Sequence, residues 1–302
     1  MRKTWYRTRS IAALLALLGW LAPGPANAKP SRDAPAIEKG LLWVIARDGR
    51  TLGHLFGTFH LPVGGRLAGA TDPVRPIVDG ADTAVFEIDF ASADAANMTA
   101  TMYFTDGRRL DGLLAPGLFE QARRRLAALG MPASSIQKLK PWAVGVLLSL
   151  PEALDGEPMD RTLQRRARAG GGAIVGLETV GEQLALFDGL PMEEQVLFAE
   201  QVVRHPDRVA AQKAEMIEAY LDGDLESILA LTETAESDME RRFVVWFRDK
   251  VLVRRNHSMF ARLRDLLPAG GLFIAVGALH LPGADGLVRL LRRAGYDVRP
   301  VK

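Results

Sequence analysis

The sequence predicts an α/β (α+β) fold: a mixed central sheet built from N- and C-terminal strands, with a large helical insertion. Three observations predict it. Strand-like apolar runs sit at both ends of the chain, at 41–46, 51–59 and 82–89, and again at 272–276 and 296–301. Residues 180–265 read as almost entirely helical. A lone hairpin does not stand by itself, so the strands at the two ends are expected to share one sheet. With 302 residues, 48% of them hydrophobic and 25% charged, the chain can bury a full core. That composition excludes a disordered tail protein, a coiled coil and a multi-pass membrane protein. There is no cysteine, which excludes disulfides, thiol catalysis and thiolate metal sites. Any metal must be held by histidines and carboxylates.

Residues 1–28 read as an address. Arg2, Lys3, Arg7 and Arg9 precede an apolar run over 11–21, then Pro23-Gly24-Pro25 and Ala26-Asn27-Ala28. This is the layout of a secretory signal peptide cleaved after Ala28. The run is too short to anchor in a bilayer, which takes about 20 apolar residues. The mature chain, 29–302, is therefore expected in the periplasm as a single domain without a membrane anchor. The whole chain has 38 Lys and Arg against 36 Asp and Glu; without the leader's four basic residues, 34 face 36. No basic surplus remains to attract nucleic acid or an anionic membrane, so a peptide or small-molecule substrate is the expected partner.

Each element then has its local reason. Asp48-Gly49 between the first two runs predicts a hairpin. The run 82–89 (DTAVFEID) is a third strand, with Glu87 and Asp89 on one side and Phe86 and Ile88 on the other. Helical patterns cover 91–103, 118–129, 137–150 and 159–169. Gly170-Gly171-Gly172 leads into a buried-strand candidate, 173–177. The insertion, about 180–265, is broken at Leu190-Pro191, Pro206-Asp207 and Asp222-Gly223-Asp224. A strand at 272–276, a helix at 284–294 and a strand at 296–301 close the chain.

One frame occurs twice: Gly57-Thr58-Phe59-His60-Leu61-Pro62 and Gly277-Ala278-Leu279-His280-Leu281-Pro282. Each follows an apolar strand, and the two frames hold two of the chain's five histidines. Gly admits close backbone approach and Pro stops strand pairing. Ligands of open sheets bind beyond the strand ends. Two imidazoles arriving there can share one metal ion, or act as a base and a polarising group; each can also merely cap its own strand. Glu87 would complete a three-ligand site of the kind hydrolytic metal centres use, unless its face is solvent-exposed. Glu178, just past another strand, reads as a further carboxylate of the site, a base, or a neighbour of a helix cap. Leu252, Asn256, Met259 and Leu263 form an inward stripe that Asn256 interrupts and Arg255 borders. An inward Arg255 can bind substrate or a developing oxyanion, or pair structurally with Glu87. His54, on the same strand face as His60, reads as packing, His205 as a cap, and His257 as pointing away.

These residues resemble the TraB/GumN family, related to the Tiki proteases and more distantly to erythromycin esterases and ChaN-like proteins. The resemblance covers about residues 40–301. It rests on Leu42-Trp43-x-Ile45, Gly57-Thr58-Phe59-His60, Glu87-x-Asp89, Gly176-Leu177-Glu178-Thr179 with Gln183, Arg255-Asn256-x-x-Met259, and Val276-Gly277-Ala278-Leu279-His280 with Gly283, in this order. It departs where Gly170-Gly171-Gly172 replace a basic residue common in the family. The resemblance implies an α/β fold with a two-histidine, one-glutamate centre. For Tiki-like members it implies metal-dependent peptide hydrolysis, with Mn²⁺ or Co²⁺ favoured; Zn²⁺ also suits such donors. The expected function is therefore a secreted hydrolase with His60, Glu87 and His280 on the metal, Glu178 as base or added ligand, and Arg255 with Asn256 on substrate. The alternatives are a metal-independent esterase-type hydrolase and a non-catalytic binding protein for a peptide, haem or polysaccharide.

Overall fold

A computed structural model describes residues 36–62, 64–92, 100–150, 156–233 and 238–301. The leader, the Ala28 cleavage site and most of the expected helix at 91–103 lie outside them. The hairpin forms as its turn residues require. β1 (Leu42–Arg47) and β2 (Arg50–Thr58) pair antiparallel, and Asp48 and Gly49 both take positive φ, 53° and 76°. β3 (Thr83–Phe86), β4 (Ala173–Gly176), β5 (Leu272–Gly277) and β6 (Asp297–Pro300) complete one mixed sheet in the order β4-β3-β5-β2-β1-β6. The four strands β4, β3, β5 and β2 are parallel, and β1 joins the sheet antiparallel to β2 and β6. N- and C-terminal strands thus share one sheet, and β5, buried throughout, is its centre.

This topology places the site. The carboxyl ends of β2, β3, β4 and β5 lie along one edge, with Thr58 in register with Gly277, and Phe86 in register with both Gly176 and Ala275. Two expectations change here. β4 is not a buried strand but the sheet edge, half exposed because it has a neighbour on one side only. Glu87 is not within β3: the strand ends at Phe86, and Glu87 is the first residue past it. Strand alternation therefore stops, and Asp89 does not accompany Glu87 inward; it pairs with Arg168 at the surface.

The helices in chain order are α1 (Arg75–Asp79), α2 (Pro116–Ala128), α3 (Ala133–Ile136), α4 (Pro141–Ser149), α5 (Met159–Ala169), α6 (Val180–Asp188), α7 (Met192–Arg204), α8 (Pro206–Leu221), α9 (Leu225–Thr232), α10 (Asp238–Trp246), α11 (Arg254–Leu266) and α12 (Leu287–Arg293). Prolines at 116, 141 and 206 start α2, α4 and α8, where a missing N–H breaks no helical bond. The helix expected over 137–150 therefore begins only at Pro141. The insertion is helical from α6 to α11, as the pattern implies, and Phe247–Val253, joining α10 to α11, winds as a π-helix. α5 packs on β3 and β4 through Met159, Leu163 and Ala167, one helical stripe. Asp160 and Gln164 lie on the same buried side. Gln164 binds the carbonyl of Ile88 and the N–H of Phe90, fixing the chain just past Glu87. No helix among the described residues is long and apolar enough to cross a membrane.

Candidate active site

Each side chain of the site is delivered by the end of a parallel strand or by a helix packed over those ends. His60 lies two residues past β2, Glu87 one past β3, Glu178 two past β4 and His280 three past β5. Arg255 and Asn256 come from the first turn of α11, Gln183 from α6 and Asp160 from α5. All are buried. Glu87 Oε1 stands 3.6 Å from His60 Nε2 and 3.7 Å from His280 Nε2, so the two repeated frames meet over one carboxylate oxygen. The same oxygen accepts the Gly277 N–H at 2.7 Å. Gly277 is required here: a Cβ would lie 2.5 Å from His60 Nε2.

The two rings have different partners. His60 Nδ1 donates to Asp160 Oδ2 at 2.8 Å, and Asp160 Oδ1 accepts Thr58 Oγ1 at 2.6 Å. This leaves His60 Nε2 facing Glu87. On the other side, Asn256 Nδ2 donates to the Asp285 carbonyl at 2.9 Å, which turns Asn256 Oδ1 toward His280 Nδ1 at 2.6 Å. His280 Nδ1 must then carry the hydrogen, and its Nε2 keeps the lone pair. Burial disfavours charge on His60, but the charge and hydrogen bond of Asp160, with Glu87, outweigh it and raise its pKa to about 9. Burial and the nearby Arg255 push His280 down to about 3, Glu87 only partly opposing them.

Arg255 ties the carboxylates. Its Nη2 donates to Glu87 Oε2 at 2.5 Å and to Glu178 Oε2 at 2.7 Å, and its Nε reaches both Glu178 oxygens at 3.0 and 3.1 Å. Nη1 contacts His280 Nε2 at 3.1 Å and the Val251 carbonyl at 3.4 Å. Gln183 Nε2 bridges Glu87 Oε2 and Glu178 Oε2 at 3.1 and 3.0 Å. Burial works against a charged Glu87, but Arg255, the two histidines and the Gly277 N–H hold its pKa well below the usual carboxylate range. Arg255 and Asn256, expected to meet substrate, both have protein partners here. Both groups are taken up inside the protein, Arg255 by carboxylates, as the structural alternative had it, and Asn256 by His280 and Asp285. Glu178, expected as base or added ligand, faces Arg255 and Gln183 rather than the ring nitrogens. His54 lies within β2, away from the site, because β2 ends before His60; His205 lies between α7 and α8, and His257 is exposed beside Asp285.

Thr58 and Gln183 entered the sequence reading only as motif residues without a role, and Asp160 did not enter it. Asp160 hides because an acid in a helix's first turn is ordinarily read as favouring the helix dipole. Its signal is its place on the buried stripe of α5 beside Met159 and Leu163.

The donor set can be tested against a divalent ion. Two imidazole nitrogens and a carboxylate oxygen are suitable donors, and each ring's second nitrogen is already fixed by Asp160 or Asn256, as metal-bound histidines require. Glu87 and Glu178 share the one guanidinium of Arg255, and Asp160 adds a third carboxylate behind His60, so the charge also favours a cation. The spacing is wider than a closed coordination shell: among the described residues no three His, Asp or Glu side chains stand as a ready metal cluster. Arg255 Nη1 also lies on the His280 lone pair. The residues fit the ion in type and orientation, and Arg255 must yield His280 for it to bind there.

A family model for TraB/PrgY/gumN matches residues 41–300. The chain belongs to the TraB/PrgY/gumN family. Similar relatives of this family member include the metalloprotease TIKI1 of Xenopus tropicalis, 23% identical over an alignment covering 90% of this chain and 63% of the relative. The metalloprotease TIKI2 of Danio rerio is 25% identical over 88% of the chain and 62% of the relative. A metalloprotease TIKI homolog of Nematostella vectensis is 28% identical over 53% of the chain and 40% of the relative. The chain thus spans less than two thirds of the length of these relatives. No solved structure matches.

Proposed function

We propose that the chain is a secreted, periplasmic hydrolase that cuts peptide bonds with a divalent metal held by His60, Glu87 and His280. One observation carries this reading: the two Gly-x-x-His frames end adjacent parallel strands and bring both Nε2 atoms to Glu87 Oε1, at 3.6 and 3.7 Å. Names of relatives favour a metal, and the family resemblance favours Mn²⁺ or Co²⁺. Bound there, the ion would lower the pKa of a water and polarise a scissile carbonyl. The protein's part is positioning. Asp160 holds the Nδ1 hydrogen of His60, and Asn256 that of His280, so both Nε2 atoms face the centre. Arg255 and Gln183 keep Glu87 oriented, and Glu178 balances Arg255. Phe59, Met216, Ile228 and Leu279 line the cavity between the histidines and limit water there. Periplasmic location rests on the leader ending at Ala28.

The direct test is turnover of a mixed peptide library by the mature protein, with and without chelator and with added Mn²⁺ or Co²⁺. Cleavage that needs metal and disappears in His60→Ala and His280→Ala supports the reading; wild-type turnover in either variant defeats it. A second reading, metal-independent ester hydrolysis with a histidine as base, is favoured by Arg255 Nη1, which occupies the His280 lone pair that an ion would take. Ester turnover that resists chelator would select it. Saturable peptide, haem or polysaccharide binding with no turnover would select a binding protein.

A further inference from the structure

The cleft between His60 and His280 leaves about 20 Å³ for the centres of water-sized groups, enough for a water or an ion beside the rings. The bulk of a peptide needs more room than this. A larger groove of about 170 Å³ adjoins it, with Leu279 as a wall common to both and Asn256 on its lining. One side of the groove is a single face of α9 and its cap: Glu226, Leu229, Ala230 and Glu233, at i, i+3, i+4 and i+7. Leu252 and Val253 line it from the π-helical segment before α11, and the loop 282–286 after His280 contributes to the floor. Gly283 lets that loop come down on α9, since a Cβ there would lie 2.9 Å from Leu229 Cδ2.

The charges on the groove balance. Glu226 pairs with Arg289 at 3.4 Å, Asp285 with Arg293 at 3.6 Å, and Glu233 lies within the field of Arg248. No single sign dominates, so neither a polyanion nor a polycation is favoured. Between these pairs Leu229, Ala230, Leu252, Leu279 and Pro282 form an apolar strip, and Asn256 is the one uncharged polar side chain on the lining. We propose that this groove is the substrate subsite, and that it takes an apolar side chain of a peptide next to the bond presented to the histidines across Leu279. The inference rests on the peptide-hydrolase reading for the reacting bond. The groove's preference for apolar over charged residues follows from its own lining.

The test reads binding without turnover. Acetylated, amidated pentapeptides Ala-Ala-Xaa-Ala-Ala, with Xaa Leu, Asp or Lys, are titrated into metal-stripped mature protein. Methyl NMR shifts of Leu229 and Leu252 report occupancy. The Leu peptide should bind about tenfold more tightly than the Asp or Lys peptide, the scale of one apolar pocket. Ala230→Trp places an indole in the groove and should weaken the Leu peptide about tenfold with the thermal midpoint unchanged. If that variant does not fold, Leu229→Asp asks the same question by charge. Equal affinity for the three peptides, no binding of any of them, or affinity unchanged by a folded groove variant overturns the assignment. Failure of the hydrolase reading looks different: groove binding persists while the metal-loaded protein cleaves no peptide. Conversely, peptide cleavage that survives a filled groove leaves the hydrolase and removes the subsite.

Discussion

Replacing Arg255 by Met keeps the length and apolar packing of the side chain and removes its charge. The Glu87 and Glu178 side chains are 7% and 6% exposed and share this one guanidinium through bonds of 2.5 and 2.7 Å. Breaking a buried ion pair by removing one partner costs about 3–5 kcal/mol, because the remaining charge stays buried. Two carboxylates are left here, while Gln183 and the Gly277 N–H still serve Glu87. We therefore expect a loss of about 4 kcal/mol at pH 7, a large part of a typical total of about 5–15 kcal/mol. The assay is urea unfolding of the metal-free protein at pH 7 and pH 5, with Arg255→Lys as a variant that keeps charge but not the fork. In the wild type, Glu87 has a lowered pKa, so its contribution is present above the ordinary carboxylate range and is lost as pH falls through the folded value. In the variant the Arg255 share of that lowering, the largest, is gone while burial still raises the pKa, so protonation relieves the buried charge and the gap to wild type narrows toward pH 5. A loss under about 1 kcal/mol, or a gap that widens on acidification, would refute the reasoning, since that is the scale of an exposed pair.

Further outcomes follow from the same geometry. Gly277→Ala puts a Cβ 2.5 Å from His60 Nε2, so it should abolish turnover while circular dichroism stays native; retained activity would mean the ring is not where we place it. Asp160→Asn removes the charge that holds His60 Nδ1 and should weaken Mn²⁺ binding about 10–100-fold, measured by titration of the free ion. In the metal-free protein, stability should fall on both sides of about pH 6.5. His60, raised to about 9, contributes fully below its unfolded pKa, and that contribution is lost as pH rises through about 9. His280, lowered to about 3, is kept neutral by the fold, so the unfolded chain gains protons first and stability drops as pH falls from about 6.5 toward about 3. Unfolding midpoints across pH 4–10 check both arms, and a flat alkaline arm in wild type contradicts the His60 assignment.

The sheet was legible where local signals agree. The Asp48-Gly49 turn, the apolar run of β5 and the repeated Gly-x-x-His frame each give strand, end and exit in one short stretch. What was not legible depends on neighbours. That β4 is an edge is a fact of sheet order, which no single strand encodes. That Glu87 lies just past β3 depends on where pairing with β5 and β4 ends, at Phe86. The π-helical winding of Phe247–Val253 changes hydrogen-bond register without a distinct pattern of residue types. At the site, the inward stripe placed Asn256 and Arg255 in the interior, yet their partners lie 24 to 168 residues away in sequence. Long-range pairing of this sort decides whether an inward arginine faces substrate or a carboxylate. Asp160 shows the same limit: its helix was evident, but its meeting with His60 is made by packing of α5 across β3 and β4.

The central claim is that His60 and His280 belong to one metal-binding centre. Elemental analysis of the mature protein, purified without chelator or histidine tag and dialysed against trace Mn²⁺, Co²⁺ and Zn²⁺, tests it most directly. The account predicts about one equivalent of metal in wild type, lost in both His60→Ala and His280→Ala, because a single ion needs both rings. No metal in the wild type after loading with each ion, or metal retained in either folded variant, would contradict it.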